Sequence, residues 1–196
     1  MTVWKRKAYR IVMGSICPAL YLITGRRIAP LCVCTTFLFL LTILEWVRYC
    51  RPGVWRWMLR RLPFFKAPSG RLTGDTWFMV ATFILILCFP RDPAIASLWF
   101  LAVGDAGSAI AGTAWGRTPL FRNKTLEGMA GGIVANAAVA AVLSRELSLP
   151  AESLAAGVLI AALGEVLPLP VDDNLTVGLL SGAAMTAVAR ALAAVG

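Results

Sequence analysis

The chain is expected to fold as an all-α, polytopic transmembrane helical bundle, a single integral membrane domain over residues 1–196. Three observations predict this. Hydrophobic residues make up 59% of the chain and charged residues 15%, with a mean hydropathy of +0.75; soluble proteins average about 45–50% and about 25%. The apolar residues fall into long runs, several of them near the roughly 20 residues that cross a bilayer core. Lysine and arginine gather between the runs, as they do in cytoplasmic loops.

The first run, Ile11–Thr24, follows a basic start and carries Pro18. Ile28–Val47 is the second. Pro52–Pro68 contains VWRWMLRRLPFFK, where aromatic and aliphatic residues interleave with arginine. It reads equally as a short helix lying in the headgroup layer or as a plain basic loop, and Pro63 cuts its pattern short. Trp77–Phe89 is the weakest candidate, and without it the count falls from seven spans to six. Ala94–Gly112, Gly128–Leu143, Leu154–Leu167 and Leu175–Val195 complete the set.

Orientation follows from the basic residues. With the N-terminus inside, only Arg26, Arg27, Arg91, Arg145 and Arg190 of the 19 lysines and arginines fall outside, so the expected location is the cell membrane with a cytoplasmic N-terminus. The net charge of +9 is then a property of these loops, and nucleic-acid binding is not expected. The five cysteines include no CxxC pair and the chain has no histidine, so a zinc site is not expected either.

Asp105 stands inside an apolar run, and a carboxylate there costs a few kcal/mol unless it faces a cavity, a metal or a cation. Four polar groups share its cytoplasmic side. Arg6, Lys7 and Arg10 open the first helix, with Arg6 and Arg10 on one face. Arg71-Leu-Thr-Gly-Asp75 precedes the third run, where Thr73 and Asp75 serve equally as helix caps.

The third group extends from Asp105 through Gly112, Arg117, Arg122, Lys124 and Glu127. Asp105 suits Mg²⁺, which takes carboxylate and phosphate oxygens. Asn123-Lys124-Thr125 opens a helix, where free N–H groups attract anions. Glu127 fits either a metal or the helix dipole. The GxxxG spacings at Gly112–Gly116 and Gly128–Gly132 suit close helix contact. The fourth group is Glu165 with Asp172, Asp173 and Asn174, where adjacent carboxylates call for a cation and a capping turn explains the last three as well.

Taken together, the RK pair, RLTG, GDAGSAIAGTAWGR, NKTLEG, GE and DDNLTV resemble the dolichol kinase, phytol kinase and CTP-dependent diacylglycerol kinase family across nearly the whole chain. That resemblance implies a lipid-alcohol kinase that moves the γ-phosphate of CTP, with Mg²⁺, at the cytoplasmic face. It implies functional roles for Arg6, Lys7, Asp105, Gly112, Lys124, Glu127 and Asp173. Many members have a histidine where this chain has Arg10, which moves the expected general base to Asp172 or Asp173.

On this reading Asp105, Glu127, Glu165 and Asp173 are the candidate metal ligands. Arg6, Lys7, Gly112, Arg117, Arg122, Lys124 and Glu127 are candidate nucleotide contacts, and Asp105, Lys124, Asp172 and Asp173 the candidate catalytic set. NKTLEGMAGG also resembles part of the phosphatidate cytidylyltransferases, which keep an acidic and basic signature near the C-terminus where this chain has only Leu175–Gly196. A third reading is a small transporter with an intramembrane ion site at Asp105 and Glu165. The lipid acceptor, the choice of CTP over ATP and the oligomeric state are left open by the residues.

Overall fold

The computed structural model describes residues 3–61, 72–120, 124–167 and 171–195, and of residues 3–6 the backbone only. The described chain is helical apart from one isolated bridge. Its helices are α1 (Val3–Thr24), α2 (Ile28–Cys50), α3 (Pro52–Arg61), α4 (Gly74–Cys88), α5 (Arg91–Trp115), α6 (Leu126–Leu143), α7 (Ala151–Val166) and α8 (Asp173–Val195).

Each of the seven apolar runs coincides with a helix; two helices end one residue short of the run, at Cys88 and Val166, and the others extend past it or match its end. α1 starts at Val3 because lysine and arginine are good helix formers. It stops at Gly25, whose φ of 64° is left-handed and costs a glycine nothing. Thr73 caps α4 by accepting from Thr76 N at 3.4 Å, as its position allows. α2, α5, α6 and α8 are long and apolar enough to cross a membrane. α4 is apolar but has 15 residues, about 22 Å at 1.5 Å per residue.

α5 is the core. Of its apolar window 67% is buried, against 17%, 22% and 28% in α2, α6 and α8. Ile95, Leu98, Phe100 and Leu101 are buried along it, against Tyr21 of α1, Phe78 and Leu85 of α4 and Met185 of α8. Helices α1, α4, α8, α7 and α6 pack on α5, α2 bridges α1 and α4 on the outside, and the ring is open between α6 and α1.

Helix α5 leans on α6 through glycine. A Cβ on Gly107 would lie 2.9 Å from the Gly131 carbonyl oxygen and 2.5 Å from Ala135 Cβ, so only glycine permits this approach. Gly112 belongs to the same seam, facing Thr125 and Gly128.

α3 is a ten-residue helix begun by Pro52, a residue suited to the first helical position. Trp55 is buried, while Arg51, Arg56, Arg60 and Arg61 are exposed. The helical alternative for this segment therefore holds over Pro52–Arg61; Leu62–Arg71, including Pro63 and Arg71, lie outside the described residues.

The ends of the bundle are pinned by charged side chains, half-buried at one end and buried at the other. At one, Arg91 pairs with Asp92 at 2.8 Å and donates to Leu22 O at 3.1 Å, while Asp92 accepts from Ser148 N at 2.9 Å. At the other, Glu45 of α2 accepts from Thr73 N at 2.6 Å and Thr76 Oγ1 at 3.2 Å, and pairs with Arg48 at 2.8 Å. This carboxylate ties the end of α2 to the start of α4.

Candidate functional site

Midway along α5 the helix widens into a π-helical turn, Phe100–Gly104, directly before Asp105. Such turns are rare and cluster at functional sites. Lys7 and Arg10, three residues apart on α1, reach Asp105 from one face. Lys7 Nζ lies 2.7 Å and an Arg10 guanidinium nitrogen 2.8 Å from Asp105 Oδ2. Lys7 thus shares a face with Arg10 toward the site; the Arg6 side chain lies outside the described residues.

A second ion cluster adjoins the first. Lys124 Nζ sits 2.7 Å from Glu165 Oε1 at the end of α7 and 3.4 Å from Asp173 Oδ2 at the start of α8. Burial alone would lower the Lys124 ammonium below its ordinary range, but Glu165, then Asp173 and Asp105, outweigh it and raise it above. Lys124 is therefore charged at neutral pH.

The loop before α6 sets that lysine in place. Leu120 N donates to Lys124 O at 2.9 Å and Leu126 N to Thr118 O at 2.9 Å, a short antiparallel turn closed by the Pro119–Thr125 bridge. Thr125 caps α6 by accepting from Gly128 N at 3.1 Å. The Glu127 carboxylate accepts from Arg117 N at 3.1 Å, Thr118 N at 3.2 Å and Thr118 Oγ1 at 3.0 Å. Glu127 fastens the loop to α6 through these bonds and is not among the residues that line the cleft described below.

Asp172 likewise does capping work. Its Oδ1 accepts from Asn174 N at 3.0 Å and Asn174 Nδ2 at 2.6 Å, and that amide also donates to Gly74 O at 3.2 Å. The start of α8 is thereby fastened to the start of α4. Asp173 differs: its side chain is 45% exposed and touches Lys124.

These groups enclose one cleft of about 20 Å³, room for a water or a single polar atom group. Asp105, Lys124, Glu165, Asp173, Asn174 and Asn136 form its polar wall; Phe100, Leu101, Ala161 and Val177 form its apolar wall. Its charges balance, with Lys7, Arg10 and Lys124 set against Asp105, Glu165 and Asp173. Among the described residues no three His, Cys, Asp or Glu side chains are grouped to hold a metal.

The cleft lies where α1, α4, α7 and α8 begin or end, but α5 continues from Asp105 to Trp115, about 15 Å at 1.5 Å per residue. Thr113, Ala114 and Trp115 are exposed there, so the α5–α6 hairpin overhangs the cleft and Lys124 reaches back from it. Arg117 sits exposed on this overhang and does not line the cleft; Arg122 and Asn123 lie outside the described residues.

Two members of this cleft carry no charge signal in the sequence. Asn174 was embedded in an acidic turn, and Asn136 is a lone amide in a run of small apolar residues. A polar residue in a membrane-length helix is the signal that singled out Asp105 and applies equally to Asn136.

No family model matches the chain, and neither a curated protein nor a solved structure aligns with it significantly.

Proposed function

We propose that the protein is a membrane lipid-alcohol kinase that transfers the γ-phosphate of a nucleoside triphosphate, CTP by preference, to a polyprenol, a phytol-like alcohol or diacylglycerol. The observation that carries this reading is the single cleft joining Asp105, Lys124, Glu165 and Asp173, four residues set apart by the sequence and drawn from α5, the loop before α6, α7 and α8. Three cations lie within it or on its rim, ready to meet phosphate oxygens, and an apolar wall stands beside them.

Lys124 and Lys7 would move from their carboxylates onto the incoming phosphates. Each exchange leaves a carboxylate without its cation, so it is favourable only with compensating positive charge brought in with the phosphates. Asp173, exposed and held by one contact, is the general base of choice, because Asp172 is occupied with capping. The lipid hydroxyl oxygen attacks the γ-phosphorus, its proton passes to a carboxylate, and the bond to the bridging oxygen breaks to release the nucleoside diphosphate. Positioning and charge neutralisation dominate such transfers.

The cluster fits a free divalent ion poorly, since its carboxylates are already neutralised. Mg²⁺ would arrive on the nucleotide and supply charge neutralisation, with Asp105 and Asp173 the carboxylates that would hold it once their cations turn to the phosphates. A bulky nucleotide exceeds the cleft and would rest under the α5–α6 overhang.

With seven spans (α1, α2 and α4 to α8) and the N-terminus inside, the cleft faces the cytoplasm. In a cysteine-free background, a single cysteine at Ala114 should react with an impermeant thiol reagent only from the cytoplasmic side, and one at Ser148 only from the other. Reaction of both from one side overturns this topology.

The test of the reaction is product analysis. Purified protein in mixed micelles with Mg²⁺, CTP and a lipid alcohol should yield lipid monophosphate and CDP in equal amounts. Absence of lipid monophosphate with every alcohol tried overturns the reading.

A further inference from the structure

Asn136 lies two-thirds of the way along α6, 3% exposed, and its Oδ1 has no hydrogen-bond partner. Buried amides in folded proteins are almost always paired; this acceptor is closed off by protein beside a cleft that Asn136 lines, so a donor entering the cleft reaches it by a small turn of the side chain. The amide packs closely on one neighbour. It lies across Gly104, the last residue of the π-helical turn, where a Cβ would stand 2.5 Å from Nδ2 and 2.7 Å from Oδ1. Gly104 makes the room that Asn136 occupies.

The surroundings say what kind of donor fits. Lys7, Arg10 and Lys124 already balance Asp105, Glu165 and Asp173, so a lone cation would add uncompensated charge in a mostly buried place. A neutral O–H adds none. Phe100, Leu101, Ala161 and Val177 line the same cleft and suit the hydrocarbon directly behind a hydroxyl. Glu165, whose Oε2 would stand 3.6 Å from a Cβ on Gly132, faces α6 one turn from Asn136, so the hydroxyl oxygen would rest beside the ionic cluster.

We infer that Asn136 is the residue that binds the acceptor hydroxyl, its Oδ1 accepting the O–H of the lipid alcohol and holding the oxygen toward Lys124 and Asp173. This rests on the kinase reading for what happens next, but the binding itself does not depend on it. Asn136 acts as a specificity determinant: a hydroxyl satisfies it, and a hydrocarbon or an ether oxygen does not.

The experiment compares wild type with Asn136→Leu and Asn136→Ala in nanodiscs. Saturable binding of tritiated geranylgeraniol is measured without nucleotide, and KM for alcohol and for CTP with it. Leucine matches the amide in size and removes an unsatisfied polar group, so Asn136→Leu should keep or raise Tm. Both variants should weaken alcohol binding and raise the alcohol KM by at least about tenfold, with the CTP KM within about twofold of wild type.

Unchanged geranylgeraniol binding in both variants would overturn the assignment, as would wild-type protein that binds no alcohol saturably, which would leave Asn136 facing water alone. Saturable binding that is lost in the variants, from a wild type that moves no phosphate, would uphold Asn136 and overturn the kinase reading instead.

Discussion

Asp105→Asn is expected to lower phosphoryl transfer by at least about 100-fold, because it removes the charge that orders both Lys7 and Arg10 at the cleft. The substitution keeps the shape of the side chain. It also leaves two cations without a partner, and breaking a buried pair costs about 3–5 kcal/mol. With side chains 15%, 26% and 24% exposed for Lys7, Arg10 and Asp105, solvent screening reduces this to roughly 1–3 kcal/mol, so Tm falls as well.

A second substitution separates the two effects. In Lys7→Met/Asp105→Asn the excess charge is reduced, and Tm should recover toward wild type while turnover stays lost. Recovery of both Tm and turnover would make Asp105 a structural ion-pair member and nothing more.

Lys124→Ala is expected to raise the KM for nucleotide by roughly 10- to 100-fold, the loss of a charge-assisted phosphate contact worth about 1.5–3 kcal/mol. The KM for lipid should change far less. Because Lys124 also neutralises Glu165, whose side chain is 11% exposed, the variant should be less stable, and Lys124→Ala/Glu165→Gln should regain stability without regaining nucleotide affinity. An unchanged nucleotide KM in Lys124→Ala would reduce the lysine to a partner of Glu165.

The sign of the pH effect is set by the same contacts. The neighbouring carboxylates raise the Lys124 ammonium above its ordinary range. Its contribution to stability is therefore complete below the ordinary lysine value of about 10.4 and is lost as pH rises through the higher folded value. A change in activity between pH 6 and 9 would have to come from another group.

Much of this fold was legible in the residues, for a simple reason: hydropathy acts on each helix separately. All seven apolar runs coincide with helices, and the interleaved arginines and tryptophans of Pro52–Arg61 turned Trp55 inward and the arginines outward. What the sequence left ambiguous was settled by tertiary contact. Positions three and four apart share a helix face equally, so Lys7 as well as Arg6 can share a face with Arg10; Lys7 and Arg10 meet Asp105, and the Arg6 side chain lies outside the described residues.

Glu127 and Asp172 each had a capping role and a site role open to them. Glu127 was drawn to the N–H groups of Arg117 and Thr118, and Asp172 to Asn174, while Lys124, Glu165 and Asp173 met in the cleft. Nor was the reach of the α5–α6 hairpin visible: Ala94–Gly112 reads as one plain membrane span, while glycines at 107, 112, 128 and 131 bring the end of α5 directly against α6. Asn136 was passed over because charge was weighed ahead of polarity; as a polar residue in an apolar run it carries the same signal as Asp105.

The position of the transferred phosphorus tests the central proposal most directly. Purified protein in mixed micelles with Mg²⁺, a lipid alcohol and phosphatidate is given CTP labelled at either the α- or the γ-phosphate. The expected result is γ-label in a lipid monophosphate and no α-label in any lipid, since only the terminal phosphoryl group moves. Label from the α position in a CDP-lipid that requires phosphatidate would make the protein a cytidylyltransferase, and label from neither position would leave an ion site in place of an enzyme; either result contradicts the kinase assignment.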